Sequence, residues 1–187
     1  MIIIGIDQSY TETGICIIQN EKIIKYFSIK FNGCNNTEKR NKIRERLDTI
    51  LCKLYKYQDD IKVICERIRT FTNGNSLRPQ YLISTGALIA TIVDCAYKHQ
   101  VKTYSVDTRS WMSKVIGSAV KGKSKSNLEF SSKTVKPSVD FVLKKYKIDV
   151  SYKTKTGLTR YNDNVSDAIC IAFYGFVKNP LLKLEDK

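Results

Sequence analysis

The opening run, Met1 to Asp7, constrains the fold more than any other stretch. Ile2, Ile3, Ile4 and Ile6 follow one another with only Gly5 between them and show no apolar–polar alternation. Such a run predicts a strand buried on both faces rather than one at a sheet edge. It ends on Asp7, and an isolated carboxylate is costly to bury. Asp7 therefore belongs where the strand emerges and meets a cation, a donor or water. A loop leads on to Ile15-Cys16-Ile17-Ile18, and the polar quartet Gln19-Asn20-Glu21-Lys22 reads as a hairpin turn before the β-rich run 23–29. The opening thus predicts a three-stranded antiparallel meander with an acid at the tip of its innermost strand.

Helical spacing of Ile43, Leu47, Ile50, Leu51 and Leu54 predicts a helix over 38–57. Thr37 is its expected cap and, with Arg40 in the third position, lacks a full capping box. A second buried strand, 61–66, again ends on an acid, Glu66. The pattern breaks over 67–78, and Pro79 opens a helix running to about His99. Its small residues, among them Ser84, Gly86 and Ala90, suit packing on the sheet or a dimer contact. A strand over 101–106 completes a parallel βαβ unit. Asp107 or Thr108 caps a short helix over 109–116, and Pro137 opens another with Val139, Val142, Leu143 and Tyr146 on one face. The segment 148–159 reads as a basic loop. A last helix, 161–178, carries Ile169, Ala172, Phe173 and Phe176, and 179–187 reads as a charged tail. The expected whole is one α/β domain over 1–178: a five-stranded mixed sheet, three antiparallel strands then two parallel, flanked by helices.

Charge narrows the class of partner. The 187 residues hold 32 Lys and Arg against 18 Asp and Glu, a formal net charge of +14. A chain this basic usually meets a polyanion. No apolar run approaches the ~20 residues of a membrane span, so nucleic acid is the expected partner, with no membrane. A polar stretch over 117–136 carries Lys121, Lys123, Lys125, Lys133 and Lys136. From 121 to 160 there are eleven Lys and Arg against three acids. The six cysteines lack metal-site spacing and His99 is the single histidine, which argues against zinc and places His99 at a helix end. Free cysteines in apolar stretches point to a reducing, cytoplasmic setting.

Asp7, Glu66 and Asp167 stand at the ends of three elements, and Asp163 lies one helical turn before Asp167. If the first and fourth strands are parallel neighbours, Asp7 and Glu66 emerge side by side, and a closing helix adds the others. Clustered carboxylates repel unless cations neutralise them. Oxygen donors suit Mg²⁺ or Mn²⁺, and two such ions roughly 4 Å apart drive attack of water on a phosphodiester.

Two groups of proteins share the opening: the sugar kinases, actin and heat-shock chaperones, and the ribonuclease-H-like nucleases. The first group needs two such lobes and a second glycine-rich phosphate loop, which this chain does not supply. Gly5-Ile6-Asp7 with Thr13-Gly14, Ile64-Cys65-Glu66-Arg67, and the stretch from Asp163 to Ala172 resemble the motifs of RuvC-type Holliday junction resolvases. The stretch from Tyr104 to Gly117 is similar in style to RuvC-like proteins of phages of low-GC Gram-positive bacteria. This resemblance implies a ribonuclease-H-like fold, a homodimer, and paired nicking of four-way DNA junctions with magnesium or manganese in a bacterial or phage-infected cell. A catalytically degenerate DNA-binding protein and a flap or fork nuclease are the alternatives. The family places a metal-binding Asp or His three residues before the last Asp. Here that position is Asn164, so either Asp163 substitutes or Asn164 lends its carbonyl oxygen. Phe71, in the loop after Glu66, is expected to stack on a base, with Arg67, Arg69 and Arg78 on adjacent phosphates. Lys114 and the lysines of 121–136 complete the expected DNA contacts.

Overall fold

The computed structural model describes residues 1–55, 61–68, 71–72, 75–76, 79–117, 129–130, 133–176 and 182–183. Three strands open it, β1 (Ile2–Asp7), β2 (Glu12–Gln19) and β3 (Lys22–Lys30), followed by α1 (Asn36–Leu54) and β4 (Ile61–Glu66). A two-residue pair, β5 (Phe71–Thr72) and β6 (Asn75–Ser76), precedes α2 (Pro79–Lys98) and β7 (Lys102–Val106). Next come α3 (Thr108–Trp111), which continues as a π-helical turn over Met112–Ile116, and a second short pair, β8 (Glu129–Phe130) and β9 (Lys133–Thr134). The chain then forms α4 (Pro137–Tyr146), the hairpin β10 (Ser151–Lys153) and β11 (Thr159–Tyr161), α5 (Asp163–Tyr174) and β12 (Leu182–Lys183).

The expected sheet is present, in the order β12-β7-β4-β1-β2-β3. β1, β2 and β3 are antiparallel, and β4 and β7 run parallel to β1. The opening run sits at the centre and all six residues of β1 are buried. Ile2, Ile4 and Ile6 face a core shared with α1 and α2, whereas Ile3 faces a core shared with α4 and α5. That two-sided burial explains the lack of alternation. The β2–β3 turn holds Asn20 and Glu21 at φ 49° and 65°, the double left-handed geometry that matches strand twist in a two-residue hairpin.

Four expectations are corrected. The α1 cap is Asn35, not Thr37: its Oδ1 accepts from the Thr37 and Glu38 N–H groups at 2.9 and 3.0 Å, and Glu38 accepts from the Asn35 N–H at 2.7 Å. Asn caps at least as well as Thr, and starting there brings Glu38 into the reciprocal position, so the capping box is complete. The last helix spans Asp163–Tyr174 rather than 161–178, because Asn162 caps it by accepting from the Val165 N–H at 3.1 Å. The segment expected as a basic loop pairs as β10 and β11. Leu182–Lys183 of the tail adds a sixth strand antiparallel to β7.

Two glycines set the distance between α5 and the sheet. A Cβ on Gly5 would lie 2.4 Å from the Ala168 carbonyl oxygen and 2.5 Å from the Ala172 nitrogen. One on Gly14 would lie 2.0 Å from the Asn164 carbonyl oxygen. No side chain fits in either place, and α5 lies directly on β1 and β2.

Candidate active site

The register of β1 against β4 pairs Ile6 with Cys65, so Asp7 and Glu66 leave the sheet side by side at one end. Gln8 fixes their relation. Its buried amide donates to the Glu66 carbonyl and accepts from the Glu66 N–H at 3.1 Å, which continues the parallel ladder through a side chain. The Thr108 hydroxyl, in the first turn of α3, donates to the Glu66 carboxylate. Neither Gln8 nor Thr108 was foreseen as an orienting group. The only hint was position: Gln8 directly follows β1, and Thr108 stands two residues after β7.

Gly5 and Gly14 bring the first turns of α5 over the same end. Asp167 then faces Asp7 and Glu66, with Ser138 of α4 hydrogen-bonded to its carboxylate. Burial, then the charges of Asp167 and Glu66, push the Asp7 carboxyl well above the usual carboxylate range, and Lys136 opposes them. Burial raises Asp167 to about 6, against the Ser138 hydrogen bond and Lys136, with Glu66 and Asp163 adding to the rise. Lys136 immediately precedes α4 and pairs with Asp163. Partial burial lowers the Lys136 ammonium, and Asp163, then Asp167 and Asp7, more than offset this and raise it. Asp163 in turn is half-exposed in the first turn of α5. Asp7, Glu66 and Asp167 thus lie within electrostatic reach of one another, with Asp163 acting on Asp167 and the Lys136 ammonium among them.

The remaining expected residues are dispersed. Asn164 lies beside Asp163, with its backbone carbonyl against Gly14. Arg67 is exposed and its N–H donates to the Val106 carbonyl at 2.8 Å; Lys114 is exposed on the π-helical turn. Arg69, Arg78, Lys121, Lys123 and Lys125 lie outside the described residues, as do the side chains of Phe71 and Lys133. His99 stands at the end of α2, as expected. Its Nε2 lies 2.8 Å from Asp48 Oδ1 on α1, and the Cys95 thiol donates to the same oxygen at 3.4 Å. These three ligand-type atoms lie within 4.8 Å of one another. The Lys98 ammonium shares the Asp48 carboxylate at 3.3 Å, so the group reads as an ion-paired tie between α1 and α2. The His99 hydrogen bond leads the causes that hold the Asp48 carboxyl below its ordinary value.

No protein-family model matches the chain. An uncharacterised protein of Ureaplasma parvum aligns over 184 residues at 24% identity, covering 98% of this chain and 74% of the relative. Among solved structures, RuvC of T. thermophilus in complex with a Holliday junction substrate superimposes with a TM-score of 0.65 at 16% identity, covering 98% of this chain and 99% of that one. The fold is that of the RuvC resolvases. A further structure of Thermus thermophilus RuvC gives a TM-score of 0.64 at 16% identity, over 98% of this chain and 100% of the other. The yeast mitochondrial Holliday junction resolvase Ydc2 gives 0.50 at 15% identity, over 91% and 75%. Within this RuvC fold the acids come from elements far apart in sequence: Asp7 from β1, Glu66 from β4, Asp163 and Asp167 from α5.

Proposed function

We propose that this chain is a divalent-metal-dependent, structure-selective endonuclease that resolves four-way DNA junctions by paired nicking as a homodimer. The observation that carries this reading is the meeting of Asp7, Glu66, Asp163 and Asp167 at one sheet end in a RuvC fold. The donor set fits a hard cation: every donor is a carboxylate or amide oxygen, and one ammonium does not balance four carboxylates. Asp7, Glu66 and Asp167, with Asp163 or the Asn164 carbonyl, would hold Mg²⁺ or Mn²⁺, two ions on this reading, whose chemistry there is Lewis-acid activation of water and of the phosphodiester. Gln8 and Thr108 orient Glu66, and Ser138 orients Asp167. Lys136 offsets part of the acid charge and lies at the site where a scissile phosphate would arrive. Phe71 would stack on a base near the crossover, and Arg67, Arg69, Arg78, Lys114 and the lysines of 121–133 would track phosphates. The stretch from Tyr104 to Gly117 supports kinship with phage RuvC-like proteins. No helix among the described residues is long and apolar enough to cross a membrane; a cytoplasmic site of action is part of the proposal.

One observation favours a second reading, a DNA-binding protein with a degenerate site. Lys136 already occupies Asp163, and Asn164 stands beside it. The deciding experiment incubates purified protein with a synthetic four-way junction and Mg²⁺ or Mn²⁺, with forks and flaps in parallel. Symmetric nicks on the junction are expected. Asp7→Asn and Glu66→Gln should each abolish them while junction binding is kept or tightened. Wild-type protein that binds the junction, fork and flap DNAs but nicks none of them would establish the degenerate reading.

A further inference from the structure

We propose that the β10–β11 hairpin is an arm that grips the phosphate backbone of a DNA duplex next to the acid site. Naming DNA as the polyanion rests on the reading above; the arm itself rests on its own geometry. Lys153, Lys155 and Arg160 lie within residues 150–161, which contain no acid, and everything from Lys155 to Arg160 is exposed. The segment is nevertheless ordered. Three residue pairs join its strands, and its tip is closed by the Thr154 N–H to the Leu158 carbonyl at 2.9 Å and the Leu158 N–H to the Thr154 hydroxyl at 3.1 Å. Lys153 donates to the Thr159 hydroxyl at 2.7 Å.

The base is anchored as firmly. Asn162 donates its N–H to the Val150 carbonyl at 2.9 Å, and its side chain donates to Glu12 at 2.6 Å and Ser28 at 3.2 Å. Asp149 is engaged at the Ser151 N–H at 2.8 Å. Lys30, the last residue of β3, stands 5.5 Å from the centre of the Tyr152 ring and adds a fourth cation. A solvated charge run needs no such scaffold; a backbone contact does, because its cations must match a fixed phosphate spacing. Strands of three residues extend about 10 Å, and each strand of duplex DNA carries a phosphate every ~3.4 Å of its axis, so an arm of this length spans about three phosphates of one groove edge, one for each of its cations. The arm ends at Tyr161, and Asp163 of the acid site follows two residues later. The duplex gripped is therefore the one that leads into the cut.

The test is a salt series of DNA binding in EDTA, on a four-way junction and on linear duplex, with fold checked by circular dichroism. Each phosphate contact contributes about −0.9 to the log–log slope. Lys155→Gln/Arg160→Gln, which leaves the Lys153–Thr159 bond in place, should reduce the slope by about two on both DNAs. Lys155→Glu/Arg160→Glu should weaken binding further at every salt concentration. An unchanged slope in folded protein overturns the arm. So does tighter wild-type binding to anionic phosphatidylglycerol vesicles than to duplex. Cleavage reports separately: wild-type protein that binds with the predicted slope but never nicks refutes the nuclease reading and leaves the arm standing. Protein that nicks with an unchanged slope refutes the arm alone.

Discussion

At the scale of single residues, the site is a set of charges held against their own repulsion. Asp167 is the clearest case, with its carboxyl raised from 3.8 to about 6 by burial first. Below pH 4 the group is neutral in folded and unfolded chain alike and costs nothing. As pH rises, the unfolded carboxyl ionises first while the folded one keeps its proton. Stability therefore falls between about 4 and about 6 and stays low above that. The penalty is on the order of 2–3 kcal/mol. In EDTA, Asp167→Asn should raise the melting temperature at pH 7.5 and flatten its fall between pH 4 and 6; an unchanged melting profile would contradict the burial of this charge. Gln8 works in the opposite sense, as a neutral group that organises a charged one. Gln8→Ala removes two hydrogen bonds to the Glu66 backbone. Losing such an orienting partner typically costs ~10–100-fold in metal affinity or activity, so titration of nicking against Mn²⁺ should shift to about tenfold higher concentration.

At the scale of elements, α5 is the part on which the arrangement turns, because it delivers two acids to a site begun by β1 and β4. Its approach depends on Gly5, where a single methyl would strike the Ala168 carbonyl oxygen and the Ala172 nitrogen. Overpacking of this kind costs about 1–3 kcal/mol or more. Gly5→Ala should lower the melting temperature by several degrees and reduce nicking beyond what the lost stability explains, measured well below the new transition. The elements were largely legible from sequence. A short β-branched run without apolar–polar alternation reads as a strand buried on both faces, and Pro79 and Pro137 mark helix starts. The placement of Asp7 and Glu66 was legible for the same reason, since each closes a strand at the same sheet end, and Asp167 follows one turn into α5. The partners that orient them were not, because the hydrogen bonds of Gln8, Thr108 and Ser138 depend on register and helix approach. The β10–β11 hairpin escaped notice because its strands are three residues long and carry no apolar alternation. Asn35 was passed over as a cap in favour of Thr37 because the two stand so close together.

At the scale of the molecule, a chain of net charge +14 carries an acidic site; on the proposed function its field would draw in DNA and the site would need cations to receive it. Affinity for junction DNA should fall steeply with salt. Replacing Lys121, Lys123 and Lys125 together by Ser should flatten the log–log slope by up to about 2.7, as read by fluorescence anisotropy; no change would make that run a solvated loop. The glycine-seated helix has a consequence for synthesis. Glu66 and Asp167 are separated by about a hundred residues, which a ribosome adds in roughly 5–20 s. Until α5 emerges and settles on Gly5 and Gly14, a nascent chain holds only the two strand acids and lacks the full carboxylate set.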